Sequence, residues 1–174
     1  MSALTEKKIK KLFHLLNEEL TQEKVQGELY LVGGAVMCLV FQARDATKDV
    51  DAFFEPSTKI RQAAARVAVK AKLDADWLND SVKGYLSQKG KFVPFLDLSN
   101  LKIMVANAEY LLAMKCLAMR IGEEFHDEED IRYLLRFLNL SSYKKACALI
   151  EKYYPIKQFP QKTLYALEEI LPEK

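Results

Sequence analysis

The chain has little of what builds special scaffolds. Its three cysteines, Cys38, Cys116 and Cys147, sit among apolar neighbours without metal-ligand spacing, and an odd number excludes a complete disulfide framework. Reduced core thiols are expected. Neither His14 nor His126 has a Cys or His at ligand spacing, so zinc has no support. Five prolines and six glycines form no linker or low-complexity tract, and no repeat period is visible. A formal net charge of +2 is too small to imply nucleic-acid binding by itself. The N-terminus has no apolar h-region, and Gly33-Gly34 interrupts the longest apolar run before it reaches membrane-span length. A cytoplasmic protein without a membrane partner is the expectation.

What remains is ordinary globular material. Half of the residues are hydrophobic and charges of both signs are mixed, so one folded unit over 1–174 with a normal core is expected. The apolar residues Ile9, Leu12, Phe13, Leu16 and Leu20 recur at helical spacing, which predicts an N-terminal helix within 1–26. The basic groups Lys7, Lys8, Lys10, Lys11 and Lys59, Arg61, Arg66, Lys70, Lys72 read as solvated helix faces.

An α/β core follows over 27–106. The stretch "ELYLV" reads as a strand, "AVMCLVF" as a buried helix, and "DVDAFF" as a second strand bounded by Pro56. Ser57 or Thr58 is placed to cap an alanine-rich helix. "ADWLNDSVKGYL" reads as helix or turn, and "KFVPFLDLSNLKIMVAN" as two strands around Ser99-Asn100. From Asn107 to the end, over 107–174, the pattern is helical, with Pro155 and Pro160 as breaks. The fold class is α+β.

Two fragments carry chemistry. Gly33-Gly34 stands between a strand and a helix, where backbone without side chains admits a phosphate and faces the positive end of a helix dipole. Asp49 and Asp51 alternate on the next strand, roughly 6 to 7 Å apart at the backbone, so both carboxylates reach one site. Close carboxylates repel unless a cation lies between them, and hard oxygen ligands suit Mg²⁺, which also accepts phosphate oxygens. A triphosphate spanning both fragments fits metal-assisted transfer. Walker and Rossmann phosphate motifs are absent.

In this order, "LVGGAVMCLVF" and "TKDVDAFF" resemble the Gly-Gly/Ser and Asp-x-Asp signature of the polymerase-β-type nucleotidyltransferase superfamily. "KCLAMR" followed by "DEEDI" is similar to the Lys-x-x-Ala-x-Arg and Asp-x-x-Asp pattern of its abortive-infection and toxin-type bacterial branch. The resemblance runs from about Leu29 to the helix after Asp130. It implies a minimal mixed sheet flanked by helices, Asp49 and Asp51 as Mg²⁺ ligands, and Gly33 and Gly34 against an NTP; Lys48 and Arg120 are further candidates for the nucleotide and Lys115 for catalysis. It further implies transfer of an NMP to RNA, protein or a small molecule, and an antitoxin protein as a possible partner.

Two departures stand out. Gly34 replaces the Ser whose hydroxyl helps to hold phosphate. A third carboxylate, metal ligand or general base, is expected on a later strand; Asp97 is the candidate, with Asp76 and Asp80 as rivals. Lys115 is surrounded by apolar residues, so its charge calls for a partner, either the triphosphate or Asp127 or Asp130. Five residues separate it from Arg120, about 140 degrees on a helix, so one of the two is expected to serve the site. Asp127 also reads as a helix N-cap and Asp130 as a first-turn acid. Trp77, Tyr110, Tyr153 and Tyr154 read as core or groove lining rather than base-stacking residues. Two other functions compete with an enzyme: a catalytically silent nucleotide-binding module, and an interaction domain that docks a partner through its N-terminal helix.

Overall fold

In a computed structural model of the chain, which describes residues 3–120 and 125–171, the N-terminal pattern forms strand β1 (Leu4–Thr5) and helix α1 (Glu6–Glu23). Thr5 caps α1, its hydroxyl accepting from the Lys8 N–H at 3.2 Å, which satisfies one of the orphan donors of the first turn. The described residues form an α+β structure in two compact units. The first takes in the chain through Gly84 together with Phe92–Ala106; the second takes in Tyr85–Lys91 and the chain from Asn107 onward.

In the first unit, the elements after α1 are β2 (Gly27–Val32), α2 (Gly34–Leu39), β3 (Ala46–Thr47), β4 (Val50–Glu55), α3 (Ser57–Ala71), β5 (Leu78–Asn79), β6 (Phe92–Asp97) and β7 (Leu101–Ala106). Five of the strands make one mixed sheet in the order β5-β4-β2-β7-β6, and β1 pairs separately with β3. Alternation sorts the sheet's side chains. Leu29, Leu31, Val50, Ala52, Phe54, Leu101, Ile103 and Val105 are buried on the side where α1 and α3 pack. Tyr30, Asp51, Phe53 and Met104 lie on the other face and are half-buried. There Tyr30 packs against Phe53 and Phe92, with ring centroids 5.9 and 5.2 Å apart.

Helix α1 is core, not an appendage. Its apolar stripe, Ile9, Leu12, Phe13, Leu16 and Leu20, is at most 2% exposed, so no apolar face is left for a partner to dock on. Glu19, on the same helix, is also buried and is held by Arg66 at 2.6 Å and Lys70 at 2.5 Å from α3. Part of the second basic group is therefore ion-paired rather than merely solvated. Hydrogen bonds from Lys70 and Arg66 outweigh burial and hold the Glu19 carboxyl below its ordinary range. A depressed folded value means that the stabilisation is present above the unfolded value of about 4.5 and is lost as pH falls through the folded one. Glu19→Gln is expected to cost about 2 kcal/mol at pH 7, and the gap to wild type should narrow in urea titrations run at successively lower pH below the unfolded value of about 4.5.

Three local expectations differ from the structure. Helix α3 has Pro56 as its N-cap with no side-chain cap bond, because Ser57 and Thr58 are already inside the helix. The segment read as helix or turn contains β5, a two-residue strand parallel to β4, followed by a 3-10 turn over Ser81–Tyr85. Strand β4 starts at Val50, leaving Asp49 in the bend before it.

The second unit holds α4 (Ala108–Leu117), α5 (Asp127–Phe137), α6 (Tyr143–Ile150) and α7 (Gln161–Ile170). Asn107 caps α4 through the Tyr110 N–H at 2.9 Å, and Ser142 caps α6 through the Lys145 N–H at 3.1 Å. The aromatics are structural. Tyr110 stacks on Tyr153 at 5.3 Å, the Tyr153 hydroxyl donates to Glu109 at 3.1 Å, and the Tyr154 hydroxyl donates to the Tyr85 carbonyl. Among the described residues the cysteines are free thiols, and no helix is long and apolar enough to cross a membrane.

Candidate functional site

The chain turns at Gly33 between β2 and α2, with φ +71 and ψ −151, a backbone state that side-chain-bearing residues rarely adopt. Asp51 lies opposite Val32 in the β2–β4 ladder, so its carboxylate comes up beside the turn. A Cβ added to Gly33 would lie 3.2 Å from Asp51 Oδ2. Asp49 is two residues upstream and half-buried, and its carbonyl accepts from the Thr47 hydroxyl at 3.3 Å. The structure therefore gathers Gly33, Gly34, Asp49 and Asp51 at one end of the sheet. Lys48 is exposed in the same bend.

Gly34 is occupied from the other side. A Cβ there would lie 2.5 Å from Arg44 Nη1 and 2.7 Å from Thr47 Oγ1, closer than nonbonded heavy atoms approach. Both residues come from the segment between α2 and β4, and Thr47 is fixed by pairing with Leu4 across the β1–β3 ribbon. Neither was singled out from the sequence. The only clue was a cation and a hydroxyl five and two residues ahead of Asp49, in a segment without periodicity. The helix dipole expected at this turn is small, because α2 has only six residues and the macrodipole grows with aligned peptides.

Asp97 is elsewhere. It pairs with Lys102, Lys102 with Glu28, and Glu28 with Glu55, whereas Asp51 pairs with Val32 at the opposite end. Four residues along the strands and three strand spacings across put it roughly 20 Å from Asp51. It cannot complete a metal site with Asp49 and Asp51. Instead it lines a groove of about 820 Å³ that also includes Glu28, Phe53, Glu55, Asp80 and Lys102. Glu28 of that lining accepts from the Tyr30 hydroxyl at 2.7 Å, a bond that pushes Tyr30 up to about 12. Of the rival acids, Asp80 is past β5 and bonded to Arg61 at 2.7 Å. Asp76 stands in an exposed turn at the Asp49 end, just before Trp77, whose carbonyl accepts from the Val50 N–H at 2.7 Å. Among the described residues no group of three or more His, Cys, Asp or Glu is arranged to hold a metal.

No family model matches the chain, and no curated protein or solved structure matches it. The site rests on its geometry.

The second unit accounts for the remaining candidates. Lys115 is 9% exposed and its ammonium meets Asp130 at 2.8 Å and Asp127 at 3.4 Å, which is the carboxylate alternative for this charge. Arg120 joins the same cluster through its backbone N–H and its Nε, both 2.9 Å from Asp127 Oδ2. The helical angle between the two cations does not apply, because α4 ends at Leu117 and the chain turns before Arg120. Asp127 is not an N-cap. That position belongs to His126, which makes no side-chain cap bond, while the Asp127 carboxylate is spent on the cations. Burial would push Asp127 up, but the Arg120 hydrogen bonds and the Lys115 charge hold it below the usual carboxylate range.

Proposed function

We propose that the chain binds a nucleoside triphosphate with Mg²⁺ at Gly33, Gly34, Asp49 and Asp51, and transfers its NMP to a nucleophilic group of an acceptor, the bond between the α- and β-phosphates breaking to release pyrophosphate. The observation that carries this reading is the Asp51 carboxylate standing 3.2 Å from the Cβ position of a glycine held at positive φ. A phosphate lying on the bare turn would be within reach of a cation held by Asp51. The donor set fits Mg²⁺, which is often bound through one or two carboxylates plus substrate phosphates and keeps several waters. Bound there, the metal would neutralise charge on the transferring phosphoryl group. The chain's own part is to hold the carboxylates at the turn and leave room for phosphate. RNA, protein or a small molecule as acceptor, and an antitoxin as partner, follow from the family resemblance.

Calorimetric titration of the four NTPs with Mg²⁺ tests the reading. Wild type should bind at least one of them, and an Asp49→Asn, Asp51→Asn variant should bind at least 30-fold more weakly, about 2 kcal/mol. No binding by folded wild type, or equal binding by the variant, sinks it.

The position of Asp97 favours a second reading, a module that binds nucleotide without turning it over, since the expected third carboxylate is at the far end of the sheet. Incubation with labelled NTP, Mg²⁺ and cellular RNA and protein separates the two. Labelled product supports transfer, and binding without product supports the silent module.

A further inference from the structure

We propose that Arg44 is the phosphate-gripping residue of this site, its guanidinium lying beside Gly34 in the space where a side chain would otherwise stand. The proposal rests on the nucleotide-binding reading and names the group that meets the anion. A six-residue helix offers little dipole, and Gly34 offers no hydroxyl, so the site's positive charge must come from a side chain. Arg44 Nη1 is 2.5 Å from the Gly34 Cβ position, one residue from the place where Gly33 meets the Asp51 carboxylate. A planar guanidinium suits phosphate because it can donate two parallel hydrogen bonds. A phosphate chain laid over the two glycines would then run from a cation at Asp51 to the guanidinium at Gly34, with opposite charges alternating along the path.

Thr47, 2.7 Å from the same Cβ position, is paired with Leu4 and so tied to the N-terminal ribbon. Arg44 itself is half-buried, which reduces the solvent screening of its charge. The serine of the related signature would not fit beside these two side chains without displacing one of them. On this reading the hydroxyl has been exchanged for a guanidinium rather than simply lost.

The test is calorimetric titration of the four NTPs, and of tripolyphosphate, each with Mg²⁺, into wild type, Arg44→Gln, Arg44→Lys and Gly34→Ala, with folding checked by circular dichroism. Arg44→Gln should weaken NTP and tripolyphosphate by the same factor of at least ten, which places the loss at the phosphates rather than the base. Arg44→Lys should fall between, as a point charge without the fork. Gly34→Ala should weaken binding in wild type, and by clearly less in the Arg44→Gln background, since the residue it displaces is already gone. If Arg44→Gln does not fold, Arg44→Lys decides: a loss of threefold or more supports the proposal, and unchanged affinity overturns it. Wild-type-like binding by Arg44→Gln overturns the role of Arg44 and leaves the site at Asp49 and Asp51 standing. No binding of any NTP or of tripolyphosphate by wild type overturns both.

Discussion

Lys115→Met is expected to destabilise the second unit by about 3 to 5 kcal/mol, the usual cost of breaking a buried ion pair by removing one partner. Asp130 and Asp127 are 3% and 4% exposed at their side chains, so neither can recover full hydration when the ammonium is gone. Asp127 keeps Arg120; Asp130 loses its 2.8 Å contact. Asp127 in wild type is held below its unfolded value of about 3.8, so its contribution is present above that pH and lost as pH falls through the folded value. Without Lys115 the Asp127 carboxyl loses one of the charges that hold it down, so the difference between wild type and variant should shrink on acidification. Adding Asp127→Asn and Asp130→Asn should recover more than half of the loss, because replacing a buried pair costs less than orphaning it. Urea titration followed by far-UV circular dichroism measures all three proteins. A loss below 1 kcal/mol for Lys115→Met would show that the ammonium is free for other work.

Phe13→Ala should cost the first unit about 3 to 5 kcal/mol, as expected when a large aromatic is removed from a core that cannot close over the gap. Phe13 is fully buried on the stripe that α1 turns inward. A helix kept for docking a partner would lose less than 1 kcal/mol on the same change, since exposed substitutions are usually worth half that. The chain's single tryptophan provides the readout. Trp77 is 2% exposed and its indole N–H donates to the Ala64 carbonyl at 2.9 Å, so its fluorescence follows the unfolding of the unit that contains Phe13.

These cases show what a linear reading can and cannot reach. Helical spacing marks α1, alanine content marks α3, and apolar, β-favouring runs between glycine, proline or polar turns mark β2, β4 and the β6–β7 hairpin. Strand β5 escaped because two residues carry no alternation; only its pairing with Val50 and Asp51 makes it a strand. Asp97 is on a strand, as its apolar neighbours predict, but at the end of the sheet away from Asp51. Strand order and direction decide which end an acid reaches, and neither is encoded locally. The angular rule for Lys115 and Arg120 fails because it assumes an unbroken helix, and α4 ends at Leu117. The Gly-Gly and Asp-x-Asp fragments were legible because backbone freedom and paired charge are properties of the residues themselves. Arg44 was not, since its position depends on a loop held by residues some forty places earlier in the chain.

Strand β6 has one further consequence. It forms an end of the five-stranded sheet, where unsatisfied backbone groups can recruit a strand from another molecule. Pro94 removes one donor from that rim, and the register shift between Pro94 and Leu96 bends it, so a second chain finds no straight template to extend. The sheet is thereby protected against intermolecular growth at this end, and Pro94→Thr should make concentrated solutions more prone to fibrous precipitation while leaving the monomer folded.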